Sequence, residues 1–244
     1  MMGITKRLFQ LESEWNIIHY PYKPNGFGVF IFGDKTHFVD GETSFWQQHY
    51  GRNLLLSILL DAGYTVFTSN LYGANWGSPK ALSLAQKIYH IIMKKEILNE
   101  RVHILCEGMG ALIAKEFMKL SNEKIRSVAM FNPCLNLQAH LEKERENMFF
   151  YKRLTKEIAH AYEMDSKKVK DHHFQTSFDS TSIPVHIWQR MNSITYPYQD
   201  HSKIYEDFRS KEGSPIDLTF HLADNQYRLN HSVVKFFKEN EKNL

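Results

Sequence analysis

The sequence predicts an α/β fold, with a mostly parallel central sheet flanked by helices. Short, continuous apolar runs such as Gly28-Val29-Phe30-Ile31-Phe32 suit strands buried on both faces. Amphipathic helical stretches separate these runs, and the alternation of strand and helix recurs along most of the chain, the rhythm of a sheet built from crossovers. The 244 residues, 43% hydrophobic and 14% aromatic, are enough for one substantial core, so 1–244 reads as a single domain.

Taken in order, the first strand is Gly28 to Phe32, closed by Gly33-Asp34. Phe45 to Leu60 has helical spacing, with Gly63 as a stop, and Tyr64 to Thr68 is the next strand. Ser78-Pro79 supplies a cap and a first-turn proline for a helix that carries Leu82, Ala85, Ile88 and Ile92 on one face. Val102 to Leu105 is a strand, Met109 to Leu120 a helix and Ile125 to Phe131 a strand, with further strands at Val185 to Trp188 and Leu218 to Leu222. Residues 135–182 break the rhythm with high charge and helical spacing, and read as a helical lid inserted into the domain.

The formal charge is only +3, with cations and anions interspersed, so no basic stripe suggests nucleic acid. No stretch reaches membrane-spanning length, and Met1 to Trp15 lacks the apolar core of a signal peptide. Cys106 and Cys134 end apolar runs and behave as small buried hydrophobes, which fits a reducing, cytoplasmic setting. His172-His173 beside Asp171 are neighbours that point apart on a helix, so no metal is expected. Gly26-Phe27-Gly28 precedes its strand, the wrong side for a dinucleotide turn, and no cofactor is expected.

The run Leu105-Cys106-Glu107-Gly108-Met109-Gly110-Ala111 takes a strand through a glycine-rich turn straight into a helix. It resembles the nucleophile elbow, G-x-S-x-G, of the α/β-hydrolase superfamily. Phe32-Gly33-Asp34 falls where that family has its oxyanion loop, and Gly63-Tyr64-Thr65-Val66-Phe67 is similar to its next strand. Asn70 to Ser78 resembles a degraded Asp-x-Arg-Gly-x-Gly-x-Ser segment, and Ile183-Pro184-Val185 the strand before the acid. The resemblance implies His231 as a retained base, with Asp224 or Asp217 as a substitute acid.

Two of the three catalytic roles implied by the resemblance are empty. Gly108 stands at the nucleophile position without a side chain, and Asn192, near the acid position, cannot stabilise a charged imidazole. The Met109 amide and one near Gly33-Asp34 remain as an expected anion-binding pair, with Cys134 close by. Cys106, set back in its strand, is a weak substitute nucleophile. The aromatics Phe149, Phe150, Tyr151, Tyr162 and Phe174 read as the lid's own packing or as the lining of a lid pocket. The leading expectation is a non-catalytic protein that binds a small acyl or apolar ligand, or a protein partner. The alternatives are an esterase or thioesterase with a displaced nucleophile, and a lyase or isomerase that uses His231.

Overall fold

The structure, a computed structural model, describes residues 5–222 and 226–241. The chain opens with a hairpin, β1 (Lys6–Leu11) and β2 (Glu14–His19), and then enters β3 (Gly28–Phe32). Next come α1 (Phe45–Gln48), α2 (Tyr50–Asp61), β4 (Thr65–Ser69), α3 (Pro79–Lys95), β5 (Val102–Glu107), α4 (Gly110–Leu120) and β6 (Ile125–Phe131). Three helices, α5 (Leu137–Glu144), α6 (Met148–Ala161) and α7 (Ser166–Asp171), fill the span before β7 (Val185–Arg190). Then follow α8 (Ser202–Lys211), β8 (Ile216–His221) and α9 (Gln226–Glu239). Among the described residues, no helix is long and apolar enough to cross a membrane.

The strands form one sheet in the order β1-β2-β4-β3-β5-β6-β7-β8. β2 is antiparallel to both neighbours, and every pairing from β4 to β8 is parallel. Strands β3 to β8 are the runs read from the sequence, shifted by two residues or fewer at their ends. The hairpin was not read in advance. Its charged residues suit a sheet edge, and Glu12, at φ +56, makes the turn, held by Lys87 at 2.5 Å and by the Tyr72 hydroxyl. The helix expected over Phe45 to Leu60 is broken at His49, which is extended and whose Nδ1 accepts the Arg52 amide. α8 was also unread.

Residue alternation divides the core between the two faces of the sheet. Phe30 and Phe32 of β3 pack with α3 and α4 through Ala85, Ile88 and Phe117, while Val29 and Ile31 face α2 and α9 through Leu55, Val233 and Phe237. A third cluster joins α5, α6 and α7 to the start of α4, with Trp76, Met109 and Leu112 against Leu141, Leu154 and Ile158. It seats the three helices over the C-terminal ends of β3 and β5.

Candidate functional site at the β5–α4 turn

The turn is held on three sides. The Gly108 amide donates to the Phe131 carbonyl at 3.0 Å, and the Gly108 carbonyl accepts from Cys134 N at 2.8 Å. Gly108 has φ +52, a conformation that glycine takes without strain. Behind it, α4 approaches β3 so closely that a Cβ on Gly110 would lie 2.1 Å from the Phe32 carbonyl oxygen.

The space in front of Gly108 is filled by the chain itself. A Cβ built on Gly108 would lie 2.4 Å from Asp34 Cγ. Asp34 Oδ1 accepts the Met109 amide at 2.9 Å and the Tyr196 hydroxyl at 3.2 Å. The Met109 N–H expected to hold a ligand's carbonyl or carboxylate is therefore already bonded, to an internal carboxylate placed at the positive end of α4. Gly33 lies against His37, whose Cβ would be 2.5 Å from any Cβ at that position.

Beside the turn, Glu107 accepts Arg52 Nε at 2.6 Å together with a second guanidinium hydrogen bond, and His37 Nε2 stands 3.8 Å from Glu107. Burial works against the charge on Glu107, but the Arg52 guanidinium overcomes it and holds the carboxyl below its usual range. Burial pulls His37 down, opposed by Glu107 and Asp34. The ring stacks on Phe45 at 4.0 Å.

A buried aromatic layer covers Asp34. Tyr196 packs on His140 at 5.0 Å and His201 at 5.6 Å, and His140 stacks on Trp76 at 5.3 Å. His201 Nδ1 accepts the amides of Leu135 and Asn136, each at 3.2 Å. Burial lowers His140 to about 3 and His201 to about 4, so both are neutral at pH 7, while burial and the Asp34 charge hold Tyr196 as a phenol. Trp76 ties this layer to the three helices by donating Nε1–H to Glu157 at 3.1 Å and accepting the Tyr162 hydroxyl at 3.0 Å. Above it opens a cleft of about 370 Å³ lined by Lys35, His140, Phe150, Leu154, Glu157 and Ile194 among others.

The structure thus brings Gly33, Asp34, Gly108, Met109 and Cys134 together. Asn192 lies exposed in the turn after β7, and His231 lies on the exposed face of α9 beside Val234, Lys235 and Glu239, not at the elbow. Asp217 is an exposed residue of β8, and Asp224 lies outside the described residues. Cys106 and Cys134 are fully buried, and burial pushes both thiols up, which disfavours the nucleophilic thiolate. The expected aromatic set divides. Phe149 and Phe150 are exposed, whereas Tyr151 and Phe174 are buried in the cluster around Trp76, with Tyr162 packed against it. Tyr196, Trp76, His140 and the Arg52–Glu107 pair were missed. The legible signal was a carboxylate at the C-terminal end of each of two adjacent parallel strands, Asp34 and Glu107, where ligand sites of such sheets form.

No family model and no curated protein sequence matches the chain. Solved structures do. Est1E from Butyrivibrio proteoclasticus is 12% identical, with a TM-score of 0.66 over 97% of this chain and 98% of that one. A sugar hydrolase, YeeB, from Lactococcus lactis is 16% identical, with a TM-score of 0.66 over 98% and 99%. A thermostable carboxyl esterase from Bacillus coagulans is 10% identical, with a TM-score of 0.64 over 98% and 99%. At these identities the likeness concerns the fold.

Proposed function

Because the chain has the α/β-hydrolase fold, we propose that it is a non-hydrolytic binding protein built on that scaffold. One observation carries the reading. The Asp34 carboxylate occupies the place of a nucleophile on residue 108 and takes the Met109 amide, so an ester would find neither an attacking oxygen nor an open amide there. The ligand class is a small carboxylate with an apolar arm. Phe150, Leu154 and Ile194 offer the apolar wall of the cleft, and the Lys35 ammonium, 5.8 Å above the Trp76 ring, offers a cation. The helices of 135–182 act as its cap, and the two buried thiols suit a reducing cytoplasm.

The test pairs turnover with binding. Purified protein is expected to leave p-nitrophenyl butyrate and octanoate intact and to escape labelling by a fluorophosphonate. Octanoate is expected to raise the melting temperature, and Lys35→Ala to abolish that rise. Ester turnover by the native chain sinks the reading.

A displaced nucleophile is the second reading, favoured by the position of Asp34 itself, part-buried and held by two hydrogen bonds. Its mark is turnover lost in Asp34→Asn, with heavy oxygen from labelled water appearing in Asp34.

A further inference from the structure

A second cavity, of about 220 Å³, shares no lining residue with the cleft above the elbow. Trp76, Leu112, Leu137 and Phe174 form its apolar wall, and Lys115 and Glu116 enter it from adjacent positions of α4. Other polar groups at this wall are already engaged. The Tyr162 hydroxyl donates to the Trp76 carbonyl at 3.0 Å, and the Thr176 hydroxyl to Asn136 Oδ1 at 2.9 Å. Lys115 and Glu116 have only each other. The Lys115 side chain is 10% exposed, its Nζ stands 3.4 Å from Glu116 Oε1, longer than an ordinary hydrogen bond, and the Phe178 ring lies 5.7 Å from the ammonium. Among the described residues, no hydrogen bond reaches either charged group, although the ammonium carries three donors and burial penalises donors left unmet.

We propose that this cavity binds a free α-amino acid with an apolar side chain. The ligand's carboxylate takes the Lys115 ammonium and its own ammonium takes the Glu116 carboxylate. Both ligand groups hang from one carbon and so stand side by side, as the Lys115 and Glu116 ends do, and the four charges alternate around a square. The protein's own ion pair therefore stays intact when the ligand arrives. A ligand with a carboxylate alone would set like charge against Glu116, and one with an amine alone would set it against Lys115, so the pair selects a zwitterion. The ligand's side chain lies on Trp76, Leu112, Leu137 and Phe174. A cavity of about 220 Å³ is smaller than a drug-sized site and suits one amino acid of the size of leucine or phenylalanine.

Calorimetric titration of the full chain with L-phenylalanine and L-leucine tests this, with far-ultraviolet circular dichroism as the check on folding. At least one of the two is expected to bind. For whichever binds, the analogue lacking the ammonium (3-phenylpropionate or 4-methylpentanoate) and the analogue lacking the carboxylate (2-phenylethylamine or 3-methylbutylamine) are each expected to bind about tenfold more weakly or worse. Lys115→Met keeps the buried stem and should weaken amino-acid binding by a similar factor. Glu116→Gln, at a half-buried position, is a second variant that should do so independently, and it should also narrow the gap between the amino acid and its carboxylate-only analogue, because the opposing charge is gone. A native chain that binds neither amino acid overturns the proposal, as does one that binds a single-charge analogue as tightly as the amino acid. Binding that survives both substitutions unchanged overturns the assignment to this cavity.

Discussion

At the scale of the residue, Asp34 and Gly108 compete for one volume. Gly108→Ser is expected to destabilise the protein by about 2 kcal/mol, from a clash that the neighbours can only partly relieve. Asp34→Asn weakens charge-assisted hydrogen bonds to the Met109 amide and the Tyr196 hydroxyl and should cost about 1–2 kcal/mol. Gly108→Ser combined with Asp34→Ala should cost less than the sum of the two single changes, because the alanine removes the clash. Urea unfolding of the set measures this, and strict additivity would mean that the two side chains do not share the site. The glycine at 108 was legible from spacing alone. The carboxylate in front of it was not, because Asp34 is 74 positions away in sequence and only the fold brings them together.

At the scale of the element, the approach of α4 to β3 fixes the turn. Gly110→Ala would drive a methyl group into the Phe32 carbonyl, which is backbone within a fully buried strand and cannot rotate aside. The expected loss is about 3 kcal/mol or more, the upper end of overpacking, and a soluble variant with native stability would refute the packing argument. Interior strands were legible because burial on both faces demands continuous apolar runs, as in β3, β5 and β6. The β1–β2 hairpin escaped because its outer strand is only partly buried and its turn uses Glu12 where glycine or asparagine would have signalled it. His231 has the residue type expected of a base, but the exposed face of α9 carries it away from the elbow.

At the scale of the whole molecule, several imidazoles stay neutral inside the fold. Burial lowers His19 and His201 to about 4, and His103 and His140 to about 3. Between about pH 6.5 and these values, the unfolded chain binds protons that the folded chain refuses, so the stability they confer is present above pH 6.5 and is lost as pH falls. Each such histidine contributes a slope of up to about 1.4 kcal/mol per pH unit in that window. Urea unfolding at pH 7, 5.5 and 4.5 should show a steep loss, and His140→Phe, which keeps a ring against Trp76, should flatten it; a curve unchanged by that substitution would count against a neutral His140. The internal carboxylate in the elbow also constrains mutational history. A single-step path toward a serine elbow meets either a collision, if the serine arrives first, or an amide stripped of its acceptor, if Asp34 leaves first. Each first step is penalised without the other, so positions 34 and 108 would have to change together for a serine elbow to form.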